Sequence, residues 1–195
     1  MKVYLDGQEM SLPEGVEASS ILNVVRGEVA KDGRIVTELR VDDVEMDDVA
    51  FLNLTGGMIA RFVSRPVRDL VRESLDEALG YFPRLIRGFE TIALHFERHE
   101  LVTAEGKLAD ATEGLDWLLG VFYHCSALLA EREADDPGLA ALKDSLDTAI
   151  DRVAYLHEER QYPQMALSIR RDLLPNVNEF SVHVRRLRSF VTSAQ

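Results

Sequence analysis

His95 and His99 stand four residues apart, with Glu90, Glu97 and Glu100 close in sequence. On a helix that spacing places both imidazoles on one face, where they are the candidate ligands of a metal ion. The wider pattern does not extend the set. Di-iron carboxylate bundles draw a Glu-x-x-His pair from each of two helices, and no glutamate stands three residues before His95, His99, His124, His157 or His183. The zinc motif HExxH needs its acid directly after the first histidine, whereas here Glu97 follows His95 by two. No metal or other cofactor is expected. His124 and Cys125 are the two halves of a thiol–imidazole pair, but neighbouring helical residues diverge by about 100° and cannot meet. Phosphate-cradling glycine loops, nucleophile elbows and dinucleotide fingerprints are absent from the sequence, so a non-enzymatic protein is expected.

Two charged segments remain. The run from Asp42 to Asp48 lacks the glycine and closing glutamate of an EF-hand loop. It reads as a solvated acidic turn, and its functional option is to dock a basic partner through Asp42, Asp43, Glu45, Asp47 and Asp48. The C-terminal segment has the opposite sign: Arg170, Arg171, Arg185, Arg186 and Arg188 oppose only Asp172 and Glu179, a local +3. Cations near a helix end complement the helix dipole, and Arg185, Arg186 and Arg188 are the candidates for an anionic partner.

The elements that position these residues follow from periodicity. Val3 and Leu5 alternate with polar neighbours, Asp6-Gly7 is a hairpin turn signal, and Met10 and Leu12 resume the alternation until Pro13. From Ala18 to Lys31 the period becomes 3.6, with Leu22, Val25 and Val29 on one face, Ser19 or Ser20 as the cap and Asp32-Gly33 as the exit. A strand carrying Ile35, Thr37, Leu39 and Val41 on one side follows, then a short strand at Val44–Met46 and another from Met58 to Val63. The expected order is ββαββ over residues 1–64. That order resembles the β-grasp, or ubiquitin-like, fold, which implies a single helix packed across a mixed sheet. The internal pair Gly56-Gly57 is followed by a strand, so it reads as a loop needing positive φ and not as a conjugation tail.

Ser64-Arg65-Pro66 closes this part, with proline at the opening of a helix, and residues 65–195 are expected to be helical. One apolar stripe runs Val71, Leu75, Ala78, Phe82, Leu85, Phe89, Ile92, Phe96. After a turn at Ala104-Glu105-Gly106 the next runs Leu108, Ala111, Leu115, Leu118, Phe122, Cys125, Leu129; a third follows Asp136-Pro137-Gly138, from Leu139 to Leu156. The fourth, from about Pro163, carries Ile169, Leu173, Val177, Phe180, Val184, Leu187 and Val191. Four such stripes joined by short turns predict an antiparallel bundle of four long helices, or a homodimer in which two-helix hairpins complete each other. Pro83 and Pro175 fall inside helices and are expected to bend or break them.

The fold class is therefore α+β. Net charge is -12, divided between 6 basic and 12 acidic residues before position 65 and 16 and 22 after it. Such a field disfavours nucleic acid and anionic membrane surfaces. A single cysteine, no N-terminal apolar run and no stretch of about 20 apolar residues predict a cytoplasmic protein. The expected function is an adaptor or scaffold holding a protein partner. In size, charge and heptad density the helical half is also similar to bacterial secretion and flagellar export chaperones, which implies an amphipathic client segment; a metal-binding bundle is the third class.

Overall fold

Two hairpin turns organise the N-terminal residues. The computed structural model describes residues 1–12, 16–54, 56–129 and 137–193; the strand stop expected at Pro13, Thr55 beside the paired glycines and Asp136 of the third turn lie outside the described residues. The chain divides into two units, Met1–Leu70 and Val71–Gln195.

In the first unit, β1 (Lys2–Leu5) and β2 (Gln8–Met10) are joined by Asp6 and Gly7, at φ 49° and 84°. Positive φ at both central residues matches the right-handed strand twist, which is why Asp-Gly works here. The helix α1 (Ala18–Lys31) occupies the predicted span and buries Ile21, Leu22, Val25 and Val29. Its N-cap is Glu17, with no side-chain bond; Ser19 and Ser20 fall inside the first turn, two and three residues too late to cap it. Next come β3 (Arg34–Val41) and β4 (Val44–Glu45), joined by Asp42 and Asp43 at φ 47° and 67°. A helix α2 (Asp48–Leu52) then rises out of the acidic run, and β5 (Ile59–Pro66) completes the unit. The order is thus ββαββαβ and not ββαββ: three strands follow α1, near the positions expected for them, and the element that periodicity missed is α2, whose five residues are too short to leave a period. Pro66 ends β5 opposite Arg34 and does not open the helix.

The five-stranded sheet has the order β2-β1-β5-β3-β4. Strands β1 and β5 run parallel, and the other pairs are antiparallel. An irregularity between Val36 and Glu38 shifts the β3 register. Val36, Leu39 and Val41 consequently pack toward the core, and the expected face of Ile35, Thr37, Leu39 and Val41 is broken at Thr37. The core joins Val3, Leu39, Val41, Ala60 and Phe62 of the sheet to Ile21, Leu22 and Val25 of α1 and Phe51 of α2, whose ring meets Phe62 edge-on at 5.7 Å. Each such side chain contributes roughly 1.5–3 kcal/mol. Gly57 has the positive φ expected of it, 158°, and a Cβ there would in addition stand 2.8 Å from a Val41 methyl; Gly56 has no positive φ.

Helix α3 spans Val67–Glu97, and its residues from Val71 belong to the second unit, which also holds α4 (Leu101–Leu128), α5 (Pro137–Glu158), α6 (Tyr162–Ser168) and α7 (Leu174–Ser193), with a π-helical turn at Ile169–Leu173 between the last two. Every stripe residue predicted on α3 and on α6–α7 is buried. The turn expected at Ala104–Gly106 is helical; the chain reverses at Arg98–Glu100 instead, with His99 at φ 59°. A glycine inside a helix costs only about 1 kcal/mol, a cost offset here by burial of Ala104 and Ala111 on the same helix. Pro83 lies within uninterrupted α3. Pro175 acts differently: it has no N–H to give one turn back, and just before it the Leu174 N–H bonds the Ile169 carbonyl five residues away. The widened turn accommodates the proline that a regular turn would exclude. Phe180 of α7 sits edge-on to Phe82 of α3 at 5.4 Å and to Phe122 of α4 at 5.3 Å. Asp76–Arg188 and Glu97–Arg170 pairs extend the α3 contact with the C-terminal helices in the opposite chain sense.

Candidate functional site

Strand β3 is paired unequally along its two edges. On one edge β5 matches it from Arg34 to Val41. On the other, β4 covers only Arg40 and Val41, and the Met46 N–H reaches back to the Leu39 carbonyl at 3.0 Å. Among the described residues the Arg34–Glu38 stretch has no strand on that side. Backbone groups on an open edge are a template for an added strand.

Beside this edge lies an open groove of about 610 Å³. It is lined by Val36–Leu39 of β3, by Glu45–Asp48 and by Arg26 of α1. The rim carries Glu38, Glu45, Asp47 and Asp48 against Arg26, which leaves it acidic. Arg26 pairs with Asp48, and Arg40 pairs with Glu38 and, at 3.8 Å, with Glu45. These pairs are half-exposed and hold the rim in place more than they stabilise it.

The acidic run is thereby divided in its tasks. Glu45, Asp47 and Asp48 reach the groove, and Asp47 also caps α2 by accepting from the Ala50 N–H at 2.7 Å. Asp42 turns away to accept from the N–H groups of Met58 and Ile59, at 3.1 and 2.9 Å. Asp43 pairs with Arg61 at 2.6 Å. Sequence spacing missed Arg26, Glu38, Arg40 and Arg61, because each meets the run only through strand or helix packing.

A second polar network ties the strands. Asp6 accepts from the Ser64 N–H at 2.7 Å and from its hydroxyl at 2.6 Å, while Arg34 donates to the Ser64 Oγ and carbonyl at 2.9 and 2.8 Å. Desolvation would raise the Asp6 carboxyl, but the Ser64 bonds and the Arg34 charge outweigh it and hold its pKa below the ordinary value.

The remaining candidates separate. His95 remains on α3 and meets Glu100, whereas His99 sits in the turn outside either helix, so the two do not share a helical face. Among the described residues no three His, Cys, Asp or Glu side chains gather closely enough to hold a metal ion. Cys125 is buried, and that burial pushes its thiol up, away from the reactive thiolate. Arg188 is drawn to Asp76 at 2.8 Å, while Arg185 and Arg186 stay exposed on α7. No described helix is long and apolar enough to cross a membrane.

A family model described as a domain of unknown function, DUF8042, matches residues 73–183. No curated protein and no solved structure matches the chain.

Proposed function

The chain belongs to the DUF8042 family, and from that premise we propose that it is a non-enzymatic protein-interaction module, an adaptor whose first unit takes an extended, basic segment of a partner along β3. The open β3 edge beside an acidic groove carries this reading. An added strand obtains affinity from main-chain hydrogen bonds and specificity from alternate side chains. Here one side of such a strand would lie on Val36 and Met46, and its lysines or arginines would meet Glu45 and Asp47. The strand order, the parallel β1–β5 pair and the helix packed on the sheet support a β-grasp fold for this unit. The opposed contact pairs support an antiparallel four-helix bundle for the second unit, with α6, the π turn and α7 as one helix.

A peptide alternating valine and lysine, titrated into the isotope-labelled full chain, tests the proposal. Amide shifts are expected at Arg34–Leu39 and Met46, and they should shrink in Glu45→Lys. Equal shifts with a valine–glutamate peptide, or shifts confined to other strands, would remove the basis for it.

A further inference from the structure

A groove of about 270 Å³ on the second unit lies between α3 and α4 and carries the opposite charge. Its floor is apolar, formed by Leu85 and Ile92 of α3 and Ala111 of α4, all buried. Arg84 and Arg87 stand on one bank and Lys107 on the other, with Asp110 the single acid among the lining residues. The cations outnumber the acid in a chain whose net charge is -12. Arg26, Arg34, Arg40, Arg61, Arg170 and Arg188 each face a carboxylate, whereas Arg185 and Arg186 stay exposed on α7. Among the described residues, Arg84, Arg87 and Lys107 have no such partner; Arg84 instead lies 5.9 Å over the Tyr81 ring.

Tyr81 is the aromatic residue of the lining. Tyr81 meets Trp117 edge-on at 5.5 Å. Gly114 makes this possible, since a Cβ there would stand 2.2 Å from the Tyr81 hydroxyl. Trp117 remains 40% exposed. An apolar floor bordered by cations, with Tyr81 in the lining and a half-exposed tryptophan packed against that ring, has the composition of a binding hot spot.

We propose that this groove binds a short acidic peptide segment of a partner protein, its carboxylates on Arg84, Arg87 and Lys107 and an apolar side chain on the floor beside Tyr81. Arginine favours bidentate carboxylate recognition. The small volume admits a few residues, and the negative field of the remaining chain acts against a long polyanion, which favours a peptide over nucleic acid. The site lies within residues 73–183 and is independent of the β3 edge in both unit and charge.

Trp117 is the sole tryptophan and packs on Tyr81 of the lining, so its emission reports on the groove through that ring. A synthetic peptide with four glutamates around two leucines, titrated into the full chain, should give a saturable emission change. A glutamine analogue should bind at least tenfold more weakly. Arg87→Glu combined with Lys107→Glu should weaken binding by a similar factor without altering the thermal midpoint, since both side chains are exposed; Arg84→Gln should weaken it on its own. The proposal is overturned by absence of saturation, by equal binding of the glutamine peptide, by wild-type affinity in the double variant, or by tighter binding of a single-stranded oligonucleotide of equal charge.

Discussion

Replacing Asp42 with alanine isolates the structural share of the acidic run. Its carboxylate accepts two main-chain N–H groups, from Met58 and Ile59. Hydrogen bonds to a charged acceptor are worth about 1.5–3 kcal/mol each, and the exposure of Asp42 reduces that to about 1 kcal/mol each in a well-solvated site. Its φ of 47° adds to the loss, since alanine in the left-handed region costs about 1 kcal/mol or more. The sum is about 3 kcal/mol, equivalent to roughly a 100-fold increase in the opening constant. Hydrogen exchange of β1 and β5 amides, read by mass spectrometry in the intact chain, should accelerate by that factor in Asp42→Ala. Asp42→Asn, which tolerates the backbone and keeps one acceptor, should lose about a third as much. Glu45→Ala serves as the contrast: its contact with Arg40 is 3.8 Å long and its side chain is 72% exposed, so the change should stay below about 0.5 kcal/mol. If Asp42→Ala exchanges like wild type, or Glu45→Ala is equally affected, the assignment of Asp42 to structure is wrong.

Two further outcomes test the packing. The folded Asp6 carboxyl has a lowered pKa, so its contribution is complete above the unfolded value of about 3.9 and is lost as pH falls through the lower folded value. Urea midpoints followed by circular dichroism should therefore fall more steeply below about pH 4 in wild type than in Asp6→Asn; superimposable profiles would contradict this. Phe180→Leu keeps most of the buried area but loses two edge-on ring contacts, each worth about 0.5–1.5 kcal/mol. Unfolding followed by Trp117 emission should show a loss of about 1–3 kcal/mol, with coupling to Phe82 in a double-mutant cycle.

Local periodicity determined much of this protein from the sequence alone. The span of α1, the Asp6-Gly7 turn and the buried stripes of α3 and α7 follow from the backbone geometry of a single element, which a run of neighbouring residues specifies. Where two local solutions were open, context chose: the reversal went to His99 and not to Gly106, and Pro175 was absorbed by a π turn. The proposed surfaces lay beyond sequence reasoning because their parts, like the pairs that hold each unit together, are distant in the chain. Asp6 meets Ser64 across 58 positions and Arg170 meets Glu97 across 73. The open β3 edge follows from which strand pairs with which, and the basic groove from how α4 packs on α3. Strand register and helix packing decide whether a charge finds a partner or remains available to bind one, and residue spacing carries no record of either.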